Sequence, residues 1–193
     1  EWADSKTFEV FGYYARDKDT IYSNGKELEW SDADTFEVIG KRYMKDKNNV
    51  YTAGKWRYWL YSIEIEWVDL ETLEYVDYAY LKDKNQVYYN RKAIEWSNPE
   101  TFEVLNYYYS KDKENIYYEG KLLEWADAET FKHIDSTYWK DKDNIYYQGK
   151  IISWVDLETF EISKKDYAYS RDKNKCYSEW FKLPLSECKE YFN

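Results

Sequence analysis

The segment YSKDKENIYYEGKLLEW, residues 109–125, returns 29 positions later as YWKDKDNIYYQGKIISW, residues 138–154, and that spacing decides the fold. Its Asp-Lys pair recurs at Asp17, Asp46, Asp83, Asp112, Asp141 and Asp172, at intervals of 29, 37, 29, 29 and 31 residues. A tryptophan in the pattern W-x-(D/N)-x-x-T-(F/L) recurs in step at Trp2, Trp30, Trp67, Trp96, Trp125 and Trp154. Self-similarity at this length marks a repeat architecture, in which a unit too short to bury its own faces stacks on its neighbours.

Within one unit, YYSKD reads as a strand, Lys113 and Glu114 as a polar turn, and NIYYEGK as a returning strand rich in β-branched and aromatic residues. A Gly at 25, 54, 120 or 149 supplies the positive φ of a second tight turn, with Asn24-Gly25 the clearest case. In the third strand Leu28, Ile65, Ile94, Leu123 and Ile152 alternate with Glu29, Glu66, Glu95, Glu124 and Ser153. That alternation is expected to put each Trp on the same face as the aliphatic residue two positions before it. Asp32, Asp69, Asn98, Asp127 and Asp156 then stand as helix N-caps, with a Thr three residues on and Pro99 at a first helical position. The fold expected is mostly β: tandem repeats of about 29 residues, each of three short antiparallel strands and a short helical turn, stacked as an elongated array. As a single structural domain it comprises a repeat array over 1–175, with an eight-residue insertion within 55–66, and an irregular C-terminal cap over 176–193.

Composition says what fills the core. A mean hydropathy of -0.96 and 34% charged residues would suit a weakly folded chain, but 24 Tyr, 10 Trp and 8 Phe supply burial area in place of Leu and Val. The net charge of -10 argues against a nucleic-acid binder, since affinity for phosphate backbones needs a basic footprint. No apolar stretch reaches the length of a membrane helix, so no membrane insertion is expected. The chain begins in mid-repeat at Glu1, so an upstream leader, not present in this chain, is compatible with it.

The segments SKDKENIYYEGK and WKDKDNIYYQGK, with the ADxxTF element, resemble the bacterial repeat family named for its Asp-Lys-Asn-Tyr-Tyr signature, and DKNQVYY at 83–89 comes closest to the literal form. The resemblance covers nearly the whole chain. It implies an extracellular or periplasmic, cell-surface location and brings no catalytic residue with it.

Candidate sites divide into what repeats and what does not. Asp141, Asp143 and Asn144 offer oxygens at alternate positions as a calcium loop would, but Ile145 and Tyr146 follow where a bidentate carboxylate is needed. Turn chemistry is the favoured reading, and neither metal nor cofactor is expected. His133 replaces an aliphatic residue of other units and has no recurring nucleophile near it, and the many acid pairs read as a solvated face. The chain is therefore expected not to be an enzyme. Cys176 and Cys188, the only cysteines, flank a Pro-containing departure from the repeat and are expected to staple the cap as a disulfide, the alternative being two buried thiols.

The insertion, KWRYWLYSIEIEW, carries Trp56, Arg57, Tyr58, Trp59 and Tyr61, the residue types that dominate interfaces, and is the expected partner-binding site. Tyr89, Tyr118 and Tyr147 form a secondary surface candidate, with inter-repeat packing favoured for them. Function is expected to be that of a binding module presenting aromatic side chains to a protein or glycan partner. A structural spacer or self-associating homo-oligomer is the second reading.

Overall fold

The computed structural model describes residues 3–53, 60–135, 137–179 and 181–192. They form six antiparallel sheets, each of four strands joined in chain order. The first comprises Glu9–Phe11, Tyr14–Arg16, Ile21–Ser23 and Lys26–Glu27. The second comprises Glu37–Val38, Tyr43–Lys45, Val50–Ala53 and Leu60–Ile63. The strand beyond the three expected is the leading one, Glu9–Phe11 or Glu37–Val38, which at two or three residues is too short to show alternation.

The expected helical turn is one turn only. Asp32 Oδ1 accepts from both the backbone N–H (3.0 Å) and the hydroxyl (2.7 Å) of Thr35, and the chain then enters the leading strand. The capping residues were thus correctly located, but the helix they would start does not propagate. Of the residues after the Thr, Phe36, Leu73 and Phe131 are buried inward anchors and Phe102 and Phe160 are partly buried, whereas Phe8 of the first repeat is exposed.

The chain comprises two compact units, Glu1–Tyr107 and Tyr108–Asn193, a division that falls in the fourth repeat. Within each unit the core lies between successive sheets. In the first, Ile21, Phe11, Tyr14 and Leu28 of one sheet pack on Met44, Tyr51 and Phe36 of the next repeat. Tyr43, Val50, Ile63 and Ile65 then pack on Leu73, Leu81 and Tyr88 of the third. In the second unit Tyr138, Ile145 and Ile152 pack on Tyr177 and Phe160. Lys45 crosses between repeats, its ammonium donating to the carbonyls of Leu70 (2.7 Å) and Leu73 (3.0 Å).

Cys176 and Cys188 are bonded, with Cα atoms 6.2 Å apart. Cys176 occupies the buried strand position held by Ile21, Val50, Val87, Ile116 and Ile145 elsewhere. The bond draws in the terminal helical turns Leu185–Cys188 and Lys189–Phe192. Tyr191 stacks on Tyr169 at 3.7 Å, and Arg171 lies over the Phe192 ring at 4.3 Å, so the tail caps the last sheet.

Candidate functional site

A four-stranded meander has two ends. The first and third turns lie at one, which we call the hairpin end. The second turn, with the chain's entry and exit, lies at the other, the corner end. The signature's Asp, Lys and Asn lie at the corner end, and its tyrosines lie on the strand that leaves it.

The repeated Asp is a hub that fastens its turn. Asp141 Oδ1 accepts from the backbone N–H groups of Asp143 (2.8 Å) and Asn144 (2.6 Å). Its Oδ2 accepts from the N–H of Asp127 (3.0 Å) and the hydroxyl of Tyr146 (2.7 Å). Asp17, Asp46, Asp83 and Asp172 make the same four bonds, for instance Asp46 with Asn48 N, Asn49 N, Asp32 N and Tyr51 Oη. Burial would raise the pKa of Asp83, Asp141 and Asp172, and these bonds outweigh it and hold all three below the usual carboxylate value. Burial and the neighbouring carboxylate push the Tyr88, Tyr117, Tyr146 and Tyr177 phenols up.

The repeated Lys is a clasp. The backbone N–H of Lys142 donates to Thr130 Oγ1 (3.0 Å), and its ammonium pairs with Asp127 Oδ2 (2.6 Å). Lys47, Lys84 and Lys173 pair likewise with Asp32, Asp69 and Asp156. Both carboxylate oxygens of Asp141 are therefore committed to the fold. Among the described residues no group of three or more His, Cys, Asp or Glu is placed to hold a metal ion.

The tryptophans depart from expectation. They do not join Ile65, Ile94 and Ile152 in the core; Trp30, Trp67, Trp96, Trp125 and Trp154 are 79–88% exposed. Each has a φ between 61° and 70°, the left-handed region. The chain turns there: the Ser31 N–H donates to Leu28 O (3.3 Å), and the same bond joins Ser97 to Ile94 and Ala126 to Leu123 (both 3.4 Å). Trp is the third residue of this turn, where a type II geometry favours Gly. The turn breaks the period of two, so alternation up to the preceding Glu does not extend to the Trp. The corner of the next repeat lies beside it, with Asn49 Nδ2 donating to Trp30 O at 3.3 Å.

At the hairpin end, Tyr61 is half exposed on Leu60–Ile63, and this strand is joined to Val50–Ala53 by the insertion. Trp56, Arg57, Tyr58 and Trp59 lie outside the described residues. Tyr89 and Tyr147 are buried and Tyr118 is partly so, which places them in packing and not on a surface. Tyr80 and Tyr89 meet at 4.9 Å, as do Tyr138 and Tyr147. His133 is exposed on a strand, its ring edge-on to Trp139 at 5.0 Å.

No curated protein and no solved structure matches the chain. The model of the DKNYY family matches it three times in succession, over residues 1–55, 53–121 and 121–180. Those matches take in the hub Asp and the Lys after it in every repeat, and the chain belongs to the DKNYY family.

Proposed function

We propose that the chain is a non-catalytic binding module of the cell exterior that holds a glycan on its corner-end tryptophans. The observation that carries this reading is the backbone at the five Trp residues. A bulky side chain in the left-handed region costs roughly 1–3 kcal/mol, and an exposed one regains nothing from the core. Strain kept in every described repeat on an indole that is 79–88% exposed points to use. An exposed indole face suits a sugar ring, whose C–H face stacks on aromatics. The acidic surroundings disfavour polyanions. The disulfide fits an oxidising compartment, and no described helix is long and apolar enough to cross a membrane.

The test is a screen of neutral polysaccharides by affinity electrophoresis and Trp fluorescence. Trp30→Ala, Trp67→Ala, Trp96→Ala, Trp125→Ala and Trp154→Ala combined should abolish retardation while leaving the melting temperature within about 2 °C, since exposed side chains contribute little to stability. Retardation unchanged in this fivefold variant would rule the tryptophans out. Capture of a protein instead of any polysaccharide would replace the ligand class.

A further inference from the structure

The hairpin end of the unit Glu1–Tyr107 has a charge opposite to that of the chain. Lys26, Lys41, Arg42, Arg91 and Lys92 are exposed around its turns, against only Asp77 and Glu27 among the described acids there, although the protein carries a net charge of -10. Arg42 and Tyr61 stand at one end of a single sheet, since Tyr43 pairs with Thr52 and Thr52 with Tyr61, and the Arg42 guanidinium also donates to the Ala53 carbonyl at 3.1 Å. Arg42, from the second repeat, and Arg91, from the third, both act on the Tyr43 hydroxyl, opposing the rise that burial imposes on its pKa. Tyr61 and Tyr107 act on the same hydroxyl. Tyr107 also meets Tyr78 edge-on at 5.8 Å, and the Tyr61, Tyr78 and Tyr107 rings are all about half exposed.

Arg91 is costly where it stands. It occupies the second central position of a hairpin turn that Gly25, Gly120 and Gly149 fill in other repeats, and takes a φ of 72° to do so. The turn would close better with Gly, so the guanidinium is held at this edge against the local preference of the backbone.

We propose that this edge binds a short acidic segment of a polypeptide, with carboxylates on Arg42 and Arg91 and apolar side chains on Tyr61, Tyr78 and Tyr107. Guanidinium forks match carboxylates in geometry, and half-exposed phenols offer apolar area with a polar tip. The size of the partner follows from screening. Charges separated by more than about 8–10 Å are largely uncoupled in physiological salt. A short segment meets only the basic edge, whereas a long polyanion or a charged bilayer also meets the acidic remainder. This site is independent of the tryptophans at the opposite end.

Fluorescence anisotropy of the full chain with a labelled peptide of alternating Glu and Leu tests it, with heparin and phosphatidylglycerol vesicles as parallel arms. The peptide is expected to bind, and about tenfold more weakly when salt is raised from low to physiological. Arg42→Gln with Arg91→Gly should weaken binding at least about tenfold, while Arg42→Lys with Arg91→Lys loses less, because charge persists without the fork. Arg91→Gly alone should melt no lower than the parent and still lose affinity, separating binding from folding. Trp30→Ala should leave peptide binding intact. No binding of the peptide, equal binding by the double variant, or binding of heparin or vesicles in its place would overturn the assignment.

Discussion

At the scale of the residue, the signature becomes a wiring diagram. Asp141 receives four donors on two oxygens, and its carboxylate is the only side chain of that size with acceptors at both positions. Asp141→Asn keeps the shape but aims an NH₂ group at N–H or O–H donors. It should therefore destabilise by about 3 kcal/mol, the cost of stranding buried donors. Tyr146→Phe removes one donor and leaves the others in place, so about 1 kcal/mol is expected. Urea denaturation of the two variants orders them; equal losses would show that the hub is not the dominant fastening. The sequence already pointed to turn chemistry here, because Asp and Asn at a corner carry their own mechanism. It could not show that the Tyr five residues on closes the same carboxylate, since that bond depends on the register of the second and third strands.

At the scale of the element, what was legible followed period and punctuation. Gly25, Gly120 and Gly149 do take positive φ, at 71°, 73° and 74°. The leading strand, with two to four residues per repeat, offered no period to read. The Trp misled for a related reason: alternation assigns a face only while the backbone stays extended, and a turn at Trp30 or Trp125 ends that. These two kinds of left-handed position make opposite predictions. A Cβ on Gly149 would fall within the Tyr118 ring besides straining the backbone, so Gly149→Ala should lower stability by about 3 kcal/mol. Trp125, at a φ of 70° and exposed, gives the reverse, and Trp125→Gly should raise stability by about 0.5–1 kcal/mol. Thermal melts of the pair check both signs. A loss at Trp125→Gly would mean the indole contributes to the fold, and would remove the main support for its role in binding.

At the scale of the whole molecule, repetition turns a local bond into a pH dependence. Hydrogen bonds and ion pairs with Lys84 and Lys142 hold Asp69 and Asp127 down to about 2. The backbone N–H of Asp4 and its neighbours hold Asp17 down to about 2, and Asp83, Asp141 and Asp172 are depressed despite burial. A carboxylate whose folded pKa is depressed contributes stability above its unfolded value, and that contribution is lost as pH falls through the folded value. The loss should therefore run from about pH 4 down to about 2, in many repeats at once. At the other extreme the hub phenols are raised, as are Lys84 and Lys142. Groups raised on folding stabilise fully below their unfolded pKa, so a second decline should begin above about pH 10. Melting temperature against pH should form a plateau with two shoulders. The acid shoulder should be only partly reduced in high salt, because the exposed lysine clasps are screened while the buried hubs are not. A midpoint unchanged between pH 5 and pH 2.5 would show that the hub carboxylates are not held as charged groups, and the stability assigned to the Asp-Lys signature would then have to come from the tyrosine packing between sheets.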